Sequence, residues 1–184
     1  MRARAARDDG VAVVEMALVL PVLLVLMLGM FTGAMAWNQS QAVGQGARVA
    51  ARYASTLPLP TPVGAQTQAQ ANEVWLDGLI DRAVAASEGE LGAAVSGRVV
   101  CVAYVDPAGT AITSDDKTIR RQLTGASTRS AVDAQLCFTD SQGDGDKRVQ
   151  VLVTRDGHID TGFYRIPITI RRTVVYRYEA DGGL

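Results

Sequence analysis

Large apolar side chains crowd the first 40 positions of this chain, and beyond them polar and apolar residues alternate over shorter stretches. Met16 to Trp37 is a run of 22 residues without a charge. As a helix rising ~1.5 Å per residue it would measure about 33 Å, enough to cross a hydrocarbon core of roughly 30 Å. Pro21 falls early in the run. In water it would break a helix, but a membrane helix tolerates proline with a kink. Gly29 and Gly33 form a small-xxx-small pair with Ala36 near the same face. Such a face allows close helix packing, although glycines are also common in membrane helices generally. From Ala42 to Ala54 the alanines, Val49 and Tyr53 recur at helical spacing, which predicts that the helix continues to about Ser55. Pro58, Pro60 and Pro62 then stop it, because proline removes donors and forces its neighbours to extend.

A second helix is predicted from Thr67 to about Ser87. Val74, Leu76, Leu79, Ile80, Ala83 and Val84 supply its apolar stripe, with Glu73, Asp77, Asp81 and Arg82 on or near the wet side. Strand candidates follow at Arg98–Val105, Val132–Thr139, Arg148–Thr154 and Ile166–Tyr178, the last with Pro167 near its start. The connections are too short for crossover helices, so the pairing is expected to be antiparallel. The predicted class is α+β: a long N-terminal helix, then a small domain with one covering helix and an antiparallel sheet of about four strands. The expected division is a charged leader at 1–10, a helix at 11–56, a proline-rich linker at 57–66 and an α+β domain at 67–184.

Composition narrows the function. Net charge is −1, and from Asn38 onward 15 basic residues face 16 acidic ones. That balance leaves no electrostatic footprint for nucleic acid. Cys101 and Cys137 lack CxxC spacing, and His158 is the only histidine, so a four-ligand zinc site is not expected. Outside the cytoplasm the two cysteines read as a disulfide; the alternative is a pair of buried reduced thiols. The carboxylates between Asp140 and Asp146 lack an EF-hand's order and distal glutamate, so a glycine-rich loop explains them better than a metal. His158 reads as a surface or turn residue, and Ser114-Asp115-Asp116 and Arg120-Arg121 as solvated loop charges. No Ser/His/Asp signature, phosphate loop or cofactor fingerprint is present, so neither an enzyme nor a cofactor is expected.

The flanks of the apolar run orient it. Arg2, Arg4 and Arg7 precede it and the first basic residue after it is Arg48, which predicts a cytoplasmic N-terminus and an exported C-terminal part. One carboxylate, Glu15, opens the run five residues after Gly10. An ionised group near bilayer depth costs roughly 2.5–3.5 kcal/mol, so it calls for a partner or a task. Gly10, Val11, Glu15, Met16 and Pro21 resemble the processing site of type IVb prepilins. The continuation Trp37–Val43, followed by Gly46–Ala54, is similar to the TadE-like family of minor pilins, or pseudopilins, of the tight-adherence (Flp) pilus. Met16 departs from the aromatic residue that major Flp pilins carry there, which points to a minor subunit, as does the large C-terminal domain.

The resemblance implies cleavage after Gly10 by a prepilin peptidase, leaving a new amine on Val11. Glu15 would then pair with the N-terminal amine of a neighbouring subunit. Implied partners are the prepilin peptidase, other minor pilins, the major Flp-type pilin, the inner-membrane assembly platform and membrane lipid. The implied location is the bacterial inner membrane, single-pass, with possible incorporation in the pilus. Two rivals stay open at this point. One is a signal peptide cut after Ala36, though the apolar run is long for one and would not call for Glu15. The other is a plain uncleaved anchor. Either would leave an extracytoplasmic binding domain.

Overall fold

The apolar run and the small-residue segment form one helix. In the computed structural model, which describes residues 5–106, 118–131, 146–160 and 164–180, α1 spans Ala5–Thr56 without a break and carries Pro21 inside it. Its 52 residues make a rod of about 78 Å. The helix begins ahead of Gly10, so the last leader residues are helical too. Its two halves differ. Large apolar side chains from Val11 to Trp37 stand exposed, whereas Ala42, Val43, Ala47, Ala50, Ala51 and Ala54 are buried. Thr56 ends α1 just before the prolines.

Helix α2 (Gln68–Ala85) starts just after Thr67, which caps it. The Thr67 hydroxyl accepts from the Gln70 N–H at 3.3 Å, and the Thr67 N–H donates to the Gln70 side chain at 2.9 Å. This reciprocal cap satisfies two donors that the first turn would leave orphaned. Leu76, Leu79, Ile80 and Ala83 are buried as expected. Val74, expected on the same stripe, is exposed instead. Two residues before Leu76 is a rotation of about 200°, which puts Val74 on the far side of the helix. Asn72, one turn before Leu76, takes the inner position.

The sheet has five strands in the order β3-β2-β1-β4-β5, all antiparallel: β1 (Val99–Val105), β2 (Thr118–Thr124), β3 (Thr128–Arg129), β4 (Arg148–Asp160) and β5 (Arg165–Arg177). The expected strand at Val132–Thr139 lies outside the described residues, as do Cys137 and Ser114–Asp116. Both helices cover the same face, α1 over β4 and β5, α2 over β1 and β2. Val100, Val102 and Tyr104 of β1 meet Val149, Val151 and Val153 of β4 beneath them. Tyr104 lies edge-on to Trp75 and to Tyr178, at ring centroid distances of 6.5 and 5.1 Å. The Tyr178 hydroxyl donates to the Leu57 carbonyl at 2.7 Å, and the Glu179 N–H to that of Ser55 at 2.8 Å, so the end of the sheet ties down the end of α1.

Strand β2 corrects the reading of Arg120-Arg121 as solvated loop charges. Ile119, Arg121 and Leu123 alternate inward and are all buried. Arg121 reaches Glu73 at 2.7 Å and Asp77 at 2.6 Å, while Arg129 of β3 reaches Asp77 at 2.7 Å and Asp81 at 2.6 Å. The acidic row on α2, spaced one turn apart, is therefore a docking strip for the sheet edge. His158 stands exposed as expected, but in β4 and not in a turn. That strand runs six residues past its expected end at Thr154, because its ladder with β5 continues from Arg155↔Ile170 to Asp160↔Arg165.

Gly46 marks the closest approach of α1 to α2. A Cβ built there would lie 2.5 Å from the Ala83 carbonyl oxygen, and backbone cannot swing aside. Gly46→Ala gains roughly 1 kcal/mol of helix propensity but forces the helices apart, which typically costs ~1–3 kcal/mol. The substitution is therefore expected to lower unfolding stability in detergent, whereas Gly33→Ala, with open space around it, should not. Asp77→Ala takes one of two carboxylate partners from both Arg121 and Arg129 and should cost ~1–3 kcal/mol in the same denaturation measurement.

Candidate functional site

The exposed half of α1 holds most of the residues singled out by sequence. Gly10 and Val11 are helical, and a Cβ at Gly10 would touch nothing within 4 Å. Glu15 follows Val11 by one turn on the same side of the helix. Beside Glu15 a shallow depression is lined by Ala12, Met16, Val19, Leu20 and Leu23, all apolar. Among the described residues, those lining the depression offer this carboxylate no polar partner to offset desolvation. Pro21 sits within the same helix.

Gly29 and Gly33 also face open space, with no atom within 4 Å of a Cβ placed on either. The Thr32 hydroxyl between them donates back to the Leu28 carbonyl at 2.9 Å and to that of Gly29 at 3.2 Å, so it withdraws from the surface. Among the described residues nothing packs closely on this stripe, although Gly33 borders a groove shared with β4 and β5. Among the described residues, α1 alone is long and apolar enough to cross a membrane.

Where α1 leaves the apolar run it meets the sheet. A cavity of about 340 Å³ is lined by Trp37, Gln41, Gly44, Arg48, Arg172, Thr173 and Val174. Arg172 of β5 donates to the Ser40 hydroxyl, and Arg48 to the Gly44 carbonyl at 3.2 Å. Farther along, the Arg82 guanidinium stacks 3.4 Å from the centre of the Tyr53 ring, joining α2 to α1. The sequence reading placed Arg82 near the wet side without this partner.

Other charged groups stiffen the domain. Arg98 donates to the carbonyls of Leu91 at 2.6 Å and Gly125 at 2.7 Å; burial and then the charge of Arg129 hold its pKa below the ordinary arginine value. Burial opposes the Arg129 charge too, but hydrogen bonds and charges from Asp81 and Asp77 outweigh it and raise its pKa. Arg155 pairs with Glu90, and burial lowers its pKa. These arginines remain cations at physiological pH and act as struts.

Among the described residues no group of three or more His, Cys, Asp or Glu is placed to hold a metal. The Asp140–Asp146 segment falls outside them save for Asp146, which lies 3.4 Å from Arg177. Cys101 is buried in β1 and disulfide-bonded. Its side chain sits on the sheet face away from the helices, since neighbours Val100 and Val102 point into the helix-covered core.

Compared with known proteins, residues 10–52 match the family described as TadE-like protein. The match opens on Gly10 and closes inside the buried small-residue segment, covering both halves of α1 and none of the sheet. No curated protein and no solved structure matches the chain.

Reducing the Cys101 bond is expected to lower stability by ~2–4 kcal/mol, read from denaturation with and without reductant. Two reactive thiols titrated in the untreated protein would contradict it.

Proposed function

We propose, from a chain whose residues 10–52 are TadE-like, that the protein is a minor pilin or pseudopilin that helps assemble or prime a tight-adherence type IVb pilus. The coarser statement stands on its own: a TadE-like segment on a long N-terminal apolar helix fits a membrane-anchored, pilus-associated protein. The finer reading is that a prepilin peptidase cuts after Gly10 and leaves residues 11–184 anchored in the inner membrane of a bacterium, with the C-terminal domain outside. The role is structural, carried by packing and charge pairing without catalysis.

One observation carries this reading. Glu15 stands exposed among apolar side chains, one turn after the residue that cleavage would make the N-terminus. A carboxylate there costs roughly 2.5–3.5 kcal/mol in lipid unless a cation meets it. Removing residues 1–10 creates such a cation, the Val11 amine, about one helical turn from Glu15 along the axis. In an assembly of parallel helices, Glu15 of one subunit and the amine of its neighbour could compensate each other only in one axial register. The open stripe at Gly29 and Gly33 lets those helices come close. Proposed partners are accordingly other minor pilins, the major Flp-type pilin and the assembly platform, along with membrane lipid. Gly10 suits the cleavage itself, because a helix must open into an extended strand to enter a protease cleft and glycine resists this least.

Intact mass of the membrane-extracted protein tests the reading. The mature chain should begin at Val11; a start at Trp37 would mean a removed signal peptide, and retention of Met1 or its neighbours a plain anchor. Gly10→Leu should remain at unprocessed size, and Glu15→Ala should be cut normally yet enter pili poorly in a shear-fraction assay.

A further inference from the structure

Strands β4 and β5 are each 13 residues long, while β1 is only 7. The β1 ladder covers Arg148–Thr154 of β4 and ends there. Just beyond it Arg155 meets Glu90 and the Asp156 N–H donates to the Ser96 carbonyl, but past Asp156 the described residues of β4 ladder only with Ile168–Arg165 of β5, so a two-stranded ribbon projects about 13 Å farther. Such a ribbon is marginal in water without a surface to lie on. Its composition is also unusual for a free projection. On the face that continues the helix-covered core, Ile170 is buried, Ile168 and Ile159 are half-buried, and Ile166 is 50% exposed. Tyr164, at the ribbon's end, is 77% exposed.

The direction of the projection identifies what covers it. Ile159, Ile168 and Ile170 share a groove with Gly33, Ala36 and Trp37 of α1, which belong to the outer end of the apolar run. The ribbon therefore extends alongside the stretch of α1 that leaves the membrane. Trp37 is itself 66% exposed, and together with Tyr164 it provides amphipathic rings of the kind enriched at the bilayer interface. Cations stand nearby. Arg171 and Arg172 line the same groove beside Ser40, and Arg165 is exposed at the tip, 3.4 Å from the Asp160 carboxylate. This is the arrangement that an anionic lipid surface matches, with apolar side chains toward the acyl boundary and guanidinium groups among phosphates.

We propose that the outer end of the β4–β5 ribbon, through Ile159, Tyr164, Ile166 and Ile168, is a second membrane contact that beds into the outer interface of a phospholipid bilayer beside α1. The proposal rests on α1 being the membrane anchor. With two contacts, the domain would be held at a fixed tilt and rotation on the bilayer.

Full-length protein in phosphatidylcholine–phosphatidylglycerol vesicles tests this, with tryptophan placed at Tyr164→Trp and, separately, at Tyr176→Trp near the opposite end of β5. Emission of the unsubstituted protein is subtracted to remove Trp37 and Trp75. Lipids brominated at shallow acyl positions should quench roughly half or more of the emission from position 164 and leave position 176 unchanged. Adding Ile166→Asp to Tyr164→Trp should abolish that quenching while far-ultraviolet circular dichroism stays the same. Protein that floats with the vesicles but shows no bromolipid quenching at position 164 overturns the proposal and leaves the anchor intact. A blue-shifted but unquenched tryptophan likewise overturns it, because another protein chain would then be covering the tip. Protein that does not float removes the anchor and the proposal together.

Discussion

Close contact between small residues of α1 and its surroundings is the constraint on which the rest of the fold depends. Gly46 allows the helix backbone to lie against the Ala83 carbonyl, and Ala47, Ala50, Ala51 and Ala54 continue that approach along the core. Large side chains there would hold the helix off, and Val100, Val102 and the valines of β4 would lose their cover. Close packing in a core is felt at the level of single methylenes. The alanine-rich segment is thus an interlock, and the lack of bulk in its sequence is what makes it one.

That interlock joins two environments in one element. Over Val11–Trp37 the helix shows its side chains to whatever surrounds it, and from Ala42 onward it is the inside of a folded domain. The polar contacts at the junction, Arg172 to Ser40 and Arg48 to Gly44, lie where one regime gives way to the other. The TadE-like match spans both regimes. In this chain the matched segment is therefore a helix apolar enough to span a membrane together with the surface on which a domain is built.

Much of this was legible in the sequence. Helix α1 could be read because its apolar run is long and its small-residue continuation periodic. The apolar stripe through Leu76, Leu79, Ile80 and Ala83 marked α2, and the alternation of Arg148–Thr154 in β4 was plain. What escaped did so for physical reasons. In β2, Arg120 and Arg121 hid a strand, since charge on an inward position looks like a loop until the acidic strip Glu73–Asp77–Asp81 is placed opposite it. The outer part of β4 escaped because Asp156-Gly157 is a strong turn signal, overridden here by an unbroken ladder to β5. Val74 was assigned inward on composition, although its angle on the helix points it out. In the candidate site, Glu15 and Gly10 stood out by contrast with their neighbours. The role of Gly46 needed the partner helix, and the ribbon's apolar tip needed the register, before either could be noticed.

No loop interrupts α1 between Ala5 and Thr56, and this has a mechanical consequence. A domain tethered by a flexible segment can swivel while its anchor stays put. Here the anchor and the domain's innermost layer are the same rod, so a force applied along its axis at one end arrives at the sheet without slack. Translation or twist given to the apolar end passes to the domain with no hinge loop in between.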